Sequence, residues 1–559
     1  MEYDVIVAGS GAAGMTAALS AAHRGLEVLV VEKAAHFGGS TARSGGGVWI
    51  PGNHALRAAG IDEPPERAHE YLESIVGDVV PAELRSAFLD RGPEVLSFVC
   101  DKTPLRFRWV RDYSDYHPEA PGGRPGGRSV EPVALDGNVL GPELANLEPP
   151  YSAPPLGVPI TQADYRWLSL LARHPRGILR VLGLGGRWLV GRIRRQRLLS
   201  MGQALAAGLR EGLRRENVTV WLNSPLLDLK VENDRVTGVV VLHQGEEILI
   251  RSRLGVVLGA GGFEHNEEMR AKYQRAPIGT EWTVGAEANT GDAIGAGLKL
   301  GAATDLMDDA WWGPSIPLTG GPWFALAERS RPGCLMVNMR GERFANESAP
   351  YVEAVHAMYG EGDVHSGPGE NIPTWLVFDQ RYRNRYMFTG LGPRQPLPGR
   401  WFKAGIAVKA STIAKLAERI EVPAEALEST IRRFNGFARA GEDEDFHRGR
   451  SAYDHYYGDP RNKPNPSLGP LDVAPYYAVK IVPGDLGTKG GLRIDRHARV
   501  LREDGSVIEG LYAAGNTSAA VMGRTYAGPG ATIGPAMVFG YLAAEHLAQQ
   551  DHGQTGGSR

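Results

Sequence analysis

Apolar and polar positions at the start of the chain alternate in the manner of an α/β unit. Val5–Ala8 is an apolar run of strand length, Ala12–His23 is continuously small and apolar, Gly25 closes it, and Leu26–Glu32 returns to an apolar run. That order predicts strand, Gly-rich turn, helix and second strand. Helical patterning recurs over Ala82–Cys100 and Met201–Arg214, with a loop rich in Pro, Gly and Tyr between them from Tyr113 to Pro155. Strand patterns follow at Val218–Leu222, Leu226–Glu232, Arg235–His243 and Glu247–Arg251, and a buried run, Gly255–Leu258, leads into Gly259–Gly262. After a helical segment at Asp292–Leu300 the texture changes at Ala310-Trp311-Trp312, where aromatics and turns take over until about Gly484. From Gly487 the strand, Gly-rich turn and helix pattern returns, and only His552–Arg559 reads as a loose tail. The expected fold is α/β: a Rossmann-like nucleotide-binding domain in two sequence pieces, 1–308 and 487–559, around an α+β substrate domain at 309–486.

One stretch breaks the soluble pattern. Residues 166–197 hold nine Arg and no Asp or Glu, interleaved with Trp167, Leu170, Leu179, Leu182, Trp188, Leu189 and Ile193. Pro175, Gly183, Gly185 and Gly186 predict short helices, each with Trp and Leu on one face and Arg on the other, suited to the surface of an anionic membrane. The rest of the composition is ordinary. With 61 basic and 64 acidic residues nothing drives the chain toward nucleic acid. Cys100 and Cys334, the only cysteines, cannot make a disulfide framework, so a reducing cytoplasm is expected. No secretory leader and no membrane-spanning run is evident, which leaves the protein soluble or lying on the cytoplasmic face of a membrane. His117, His265 and His356 lack metal-like spacing, so no metal is expected.

Gly9-Ser10-Gly11-Ala12-Ala13-Gly14 fits the dinucleotide fingerprint G-x-G-x-x-G, and its place between a strand and a helix gives the match weight. Gly9 permits the tight turn, Gly11 admits a pyrophosphate, and Gly14 lets helix and strand pack. The helix N-terminus, at Ala12 and Ala13, faces the phosphates, and Glu32 ends the second strand where ribose hydroxyls need an acceptor. The following loop, Gly38-Gly39-Ser40-Thr41-Ala42-Arg43-Ser44-Gly45-Gly46-Gly47, offers backbone N–H groups and small hydroxyls to a flat ring system.

These segments, with Leu258-Gly259-Ala260-Gly261-Gly262, Asn289-Thr290-Gly291-Asp292 and Gly510-Leu511-Tyr512-Ala513-Ala514-Gly515-Asn516, resemble the fumarate reductase/succinate dehydrogenase flavoprotein superfamily over nearly the whole chain. The resemblance implies FAD, contacted also by Lys33, Thr532 and Ile533, and hydride transfer at a carbon near an activating carbonyl. No second dinucleotide motif is present, so an external acceptor such as a quinone or dye is expected rather than NAD.

Fumarate reductases carry an acid Arg after an R-F-x-N-E motif and a second Arg near the C-terminal Gly-rich turn. Here Arg343-Phe344-Ala345-Asn346-Glu347 is followed by Tyr351, and Gly523-Arg524-Thr525-Tyr526-Ala527-Gly528-Pro529-Gly530 carries Tyr526 at the other position. Two arginines replaced by two phenols argue for an uncharged ketone over a dicarboxylate. The tyrosines, with Gly487-Thr488-Lys489-Gly490-Gly491-Leu492 and Tyr113-Ser114-Asp115-Tyr116, resemble the 3-ketosteroid Δ1-dehydrogenases. That resemblance implies Tyr351 as the base for the C2 proton, Tyr116 as its hydrogen-bond partner, and Tyr526 with the Gly530 N–H as the holders of the C3 carbonyl oxygen. Hydride would pass from C1 to flavin N5. A 3-ketosteroid 4-dehydrogenase and an enone or fumarate-type reductase remain as alternatives. Tyr113, Tyr359 and Tyr512 are read as packing, and Trp311, Trp312, Trp323 and Phe324 as core or cleft wall.

Overall fold

The computed structural model describes residues 1–152 and 157–556, the last five of them as backbone only. Its main sheet follows from the apolar runs. Strand Glu2–Ala8 lies between the parallel strands Val28–Val31 and Glu246–Leu258, and Thr219–Trp221 extends the sheet beyond Val28–Val31. Val5–Ala8, Val28–Val31 and Leu254–Leu258 are buried on both faces, which explains why they read as continuous apolar runs and not as alternation.

The segments read as two strands, Glu247–Arg251 and Gly255–Leu258, are one strand, Glu246–Leu258. Its first half pairs antiparallel with Arg235–His243 and its second half runs parallel to Val507–Ala513. The chain's last pattern of strand and helix therefore joins the sheet started by its first residues. Helix Ile533–Gly556 packs along helix Ala12–His23, Gly540 lying against the Ala13 carbonyl. That helix also takes in His552–Gly556, expected as tail, while 557–559 lie outside the described residues.

A second, antiparallel sheet orders Trp323–Phe324, Ala310–Ile316, Tyr476–Thr488, Thr374–Asp379 and Cys334–Val337, with Ala407–Ala410 also on Tyr476–Thr488. Helix Tyr351–Tyr359 packs against Ala310–Ile316. The Pro/Gly/Tyr-rich segment read as a loop contains strand Ser129–Pro132, which pairs with Val48–Trp49 and Phe107–Trp109, and a 3-10 segment at Gly137–Asn146; residues 153–155 of that segment lie outside the described residues.

The basic stretch departs most from expectation. Pro175 starts a helix at its first turn, where a missing N–H costs nothing, and the helix continues unbroken to Ile193 through Gly183, Gly185 and Gly186. Its apolar side faces outward. Arg180 and Arg187 turn inward to Asp164, each at 3.2 Å, while Ile178, Leu179, Val181, Leu182, Leu189, Val190 and Ile193 stand exposed, Leu182 by 66% and Ile193 by 72%. Asp164 lies outside the acid-free stretch, at the capping box of the preceding helix Gln162–Leu168, so its attraction for the two arginines was invisible within 166–197. Among the described residues no helix is long and apolar enough to cross a membrane.

Candidate active site

The nucleotide-binding segments meet where the parallel strands end. Gly9 has φ +103, and a Cβ there would run into the Gly259 carbonyl, so the turn requires glycine. Gly14 sits under that turn against Gly9, and Gly259 against Gly14. The Ala12 N–H donates to Thr41 Oγ1 at 2.9 Å, which ties the short helix Gly39–Arg43 to the N-terminus of Ala12–His23. Ser40 Oγ accepts from Asn289 Nδ2 (3.0 Å) and the Ala286 N–H (2.9 Å), and Thr517, two residues past Gly515, donates to the Gly261 carbonyl at 2.9 Å. Gly515 lies against Ala13 and Ala536, so the N-terminal parts of helices Ala12–His23 and Ile533–Gly556 converge on one region beside Asn516 and Thr532.

Glu32 ends beside this turn, its carboxylate accepting from the Ser10 N–H (2.9 Å), the Ser10 hydroxyl (2.6 Å) and the Ala34 N–H (2.9 Å). Ser44 steadies the turn into Gly45 and Gly46 through a 3.0 Å bond from the Gly46 N–H, and Gln162 Nε2 donates to the Gly45 carbonyl. Lys33 and Asp292 pair with one another at 2.7 Å on the half-exposed rim. Two helix N-termini for phosphates, a carboxylate just past the end of the neighbouring strand Val28–Val31, and glycine-lined backbone fit FAD. Ala260, Gly261 and Gly262 lie just past strand Glu246–Leu258, and Ile533 begins the terminal helix.

The tyrosines come together from three distant parts of the chain. The Tyr116 hydroxyl donates to the Tyr351 hydroxyl at 3.0 Å. The rings of Tyr116, Tyr351 and Tyr526 pack mutually with centroids 5.1–5.3 Å apart, and all three side chains are buried. The Tyr526 hydroxyl bonds Thr532 Oγ1 at 2.8 Å, and Gly530 lies four residues along the same turn. Gly530 has φ +95, and a Cβ there would strike the Gly47 carbonyl, so the C-terminal turn is pressed onto the Gly45–Gly47 loop. Trp311 and Phe324 wall the cluster, edge-on to Tyr526 and Tyr351 at 4.9 and 5.1 Å.

Tyr113 stays out of the hydroxyl cluster. It stacks on Tyr456 at 4.1 Å and accepts from the Tyr457 hydroxyl. Tyr116 owes its place to its neighbour: buried Asp115 accepts from Trp49 Nε1 (2.9 Å) and the Arg124 N–H (3.1 Å) and pairs with Arg128.

Burial pushes the Tyr351 phenol well above its ordinary value, and the neighbouring Tyr526 adds to that, while the bond from Tyr116 works the other way. Tyr351 is the first residue of helix Tyr351–Tyr359, whose positive end also favours a phenolate. Burial raises Tyr116 and Tyr526 too, which suits them as neutral donors.

Sequence reasoning missed a ring of charge around this cluster. Buried Lys489 donates to Asp309 Oδ2 and to the Thr525 carbonyl, both at 3.1 Å, and Asp309 also meets His356 at 2.9 Å. His117 meets Glu353 at 3.0 Å and Thr525 at 2.9 Å. Single histidines and acids scattered over hundreds of positions leave no spacing signal.

With this geometry in hand, comparison with known proteins is decisive. The family described as "FAD binding domain" matches residues 4–533. The 3-oxosteroid 1-dehydrogenase of Mycolicibacterium smegmatis is 61% identical over 98% of this chain and 97% of its own. This chain belongs to the 3-oxosteroid 1-dehydrogenases. As a member of that family it is a flavin-dependent oxidoreductase with FAD as cofactor. A structure of the family, the 3-ketosteroid delta1-dehydrogenase from Sterolibacterium denitrificans in complex with 1,4-androstadiene-3,17-dione, superposes with a TM-score of 0.92 at 40% identity, covering 98% of this chain and 100% of the other. The 4-oxocyclohexanecarboxylate 2-dehydrogenase of Sinomonas cyclohexanicum is 37% identical over 100% of this chain and 94% of its own.

Proposed function

We propose that this chain converts 3-oxo-4-ene steroids to 3-oxo-1,4-dienes by removing a proton from C2 and a hydride from C1. The observation that carries the reading is the hydroxyl–hydroxyl bond from Tyr116 to Tyr351 inside a buried cluster shared with Tyr526. A C2 hydrogen beside a ketone is weakly acidic, so charge developing on the C3 oxygen needs preorganised donors. The Tyr526 hydroxyl and the Gly530 N–H, four residues apart on one turn, fill that role. Tyr351 takes the C2 proton, and Tyr116 donates to the phenolate that does so. FAD, when bound, supplies the acceptor of the C1 hydride, and an external quinone or dye regenerates it. Segments 1–308 and 487–559 form the FAD-binding domain around a catalytic domain at 309–486, a division supported by strand Val507–Ala513 lying in the sheet of strand Glu2–Ala8.

The test is turnover. Incubated with androst-4-ene-3,17-dione and an artificial acceptor, the yellow holoenzyme is expected to give a product two mass units lighter, with the ultraviolet band of a cross-conjugated dienone. The absence of C1–C2 dehydrogenation with this and other 3-ketosteroids would overturn the reading. Turnover of a 4-oxocyclohexane acid in place of the steroid would move it toward the ring-acid relative.

A second reading concerns location. The outward apolar face of helix Pro175–Ile193, flanked by the exposed Arg176, Arg192, Arg194, Arg195 and Arg197, supports peripheral attachment to an anionic bilayer. The protein should co-float with vesicles containing phosphatidylglycerol and release at high salt. Leu179→Asp/Leu182→Asp/Ile193→Asp should stay behind with its turnover of dissolved steroid intact. Equal flotation of both proteins, or of neither, would refute attachment by this helix.

A further inference from the structure

The elements that carry the three tyrosines meet a second time, one layer outside the phenols, at polar groups the reaction does not use. His117 follows Tyr116, Glu353 lies two residues past Tyr351 on the same helix, and Thr525 precedes Tyr526. The Thr525 hydroxyl donates to Glu353 Oε1 at 2.9 Å, and His117 Nε2 lies 3.0 Å from that same oxygen and 2.9 Å from Thr525 Oγ1. Side chains adjacent in space to each tyrosine's own backbone thus close a three-way polar junction.

The geometry excludes a nucleophilic role for the hydroxyl. Activation by a histidine–carboxylate pair needs one ring nitrogen for the hydroxyl and the other for the carboxylate. Here both contacts fall on Nε2, and the hydroxyl gives its hydrogen to the acid. The junction holds position and moves no proton.

Thr525 is also held from its other side, where its carbonyl accepts from buried Lys489 at 3.1 Å. One residue past Tyr526, the Ala527 carbonyl accepts from the Tyr116 N–H (3.0 Å) and the Tyr71 hydroxyl (2.7 Å), and that hydroxyl accepts from the His117 N–H (3.1 Å). Every one of these bonds crosses between segments far apart in sequence. Ring-on-ring packing alone gives weak directional control, since aromatic pairs tolerate a range of offsets. Hydrogen bonds to charged groups are short and directional.

We propose that Thr525, gripped by Glu353 and His117, is a positioning residue that fixes the register of Tyr526 against Tyr351 and Tyr116. The inference rests on the roles assigned above to those tyrosines. A productive constellation must be held to within about 0.5 Å, and the Tyr526 hydroxyl reaches its place through a backbone that Thr525 anchors at both ends.

The experiment uses flavin-loaded holoenzyme with androst-4-ene-3,17-dione and an artificial acceptor. Thr525→Val keeps the shape and deletes the hydroxyl; Thr525→Ser keeps the hydroxyl. We expect kcat to fall about ten-fold in T525V, with KM and the flavin spectrum little changed, and to recover to within about two-fold of the parent in T525S. Glu353→Gln should lose a similar factor, and T525V/E353Q should be no slower than the slower single variant, because both remove one junction. Unchanged kcat in T525V, a rise in KM alone, failure of T525S to recover, or losses that multiply in the double variant would each overturn the proposal. If E353Q does not retain flavin, the Val and Ser variants decide alone. Tyr351→Phe in the same assay separates the two levels: normal turnover there defeats the tyrosine assignment, whereas an inactive Y351F beside a fully active T525V defeats only the clamp.

Discussion

Replacing Tyr351 with Phe is expected to lower kcat by about 10^3-fold, within the 10^2–10^4 range that general-base catalysis contributes. The substitution is nearly isosteric. The phenylalanine ring keeps the edge contacts to Phe324 and Tyr526, and Tyr351 is not among the residues that fit FAD, so the variant should remain yellow and folded. Its structural cost is the Tyr116 hydroxyl, which loses its acceptor in a buried site; such an orphan costs about 1–3 kcal/mol of stability. The loss of activity therefore exceeds anything attributable to misfolding. Because burial raises the Tyr351 phenol while the base must ionise to act, kcat/KM of the parent enzyme should climb toward alkaline pH. That limb should vanish in the variant's residual activity. Steady-state rates across pH, compared at equal flavin content, check both statements; a Y351F enzyme within ten-fold of the parent would remove Tyr351 as the base.

The largest expected effect on stability comes from Lys489→Met. Lys489 is fully buried, bound to Asp309 and to the Thr525 carbonyl, and its ammonium lies 5.1 Å from the centre of the Trp311 ring. Removing it strands the Asp309 carboxylate, which keeps Trp312 Nε1 at 2.6 Å and His356 at 2.9 Å but loses its buried cation. Breaking one side of a buried pair costs about 3–5 kcal/mol, and Lys489→Met/Asp309→Asn should recover much of that, since no buried charge is then left unpaired.

The pH dependence has a definite sign. Burial alone would raise Asp309, but Lys489 first and then His356 outweigh it and hold the carboxyl down at about 2. A depressed carboxyl contributes stability that is present above its ordinary value of 3.8 and is lost as pH falls through about 2. In K489M that contribution shrinks, so acid unfolding should begin at higher pH than in the parent. Denaturant midpoints for the parent, K489M, Asp309→Asn and the double variant test this; a K489M midpoint equal to that of the parent would deny the pair its structural role.

Both experiments touch residues whose visibility in the sequence differed sharply. Tyr351 and Tyr526 stood out because each falls at a fixed step from a recognisable motif, R-F-x-N-E in one case and the C-terminal Gly-rich turn in the other. Tyr116 had only a short local pattern, with Tyr113 three residues away as a rival. The choice between them is made by Asp115, whose burial against Trp49, Arg124 and Arg128 turns Tyr116 toward Tyr351 and leaves Tyr113 stacked on Tyr456. Lys489 was legible as part of a motif but not as a buried cation, because its partner lies 180 residues away.

The amino-acid sequence by itself determined the strand–turn–helix order at both ends, the helix Ala12–His23, the helix over Ala82–Cys100 (which runs on to Lys102), and the glycine turn at Gly9. Hydrophobic periodicity and backbone freedom are properties of neighbouring residues, and they are expressed locally. Tertiary structure alone decided that Glu246–Leu258 is one strand, since its two halves are extended by different partners. It alone decided that helix Pro175–Ile193 runs through its glycines and turns its apolar side outward, because Asp164 claims Arg180 and Arg187 from outside the segment. The junction of His117, Glu353 and Thr525 belongs to the same class. Directional bonds between groups hundreds of residues apart form only when the sheets and helices carrying them have packed, and no local pattern records where that packing will bring them.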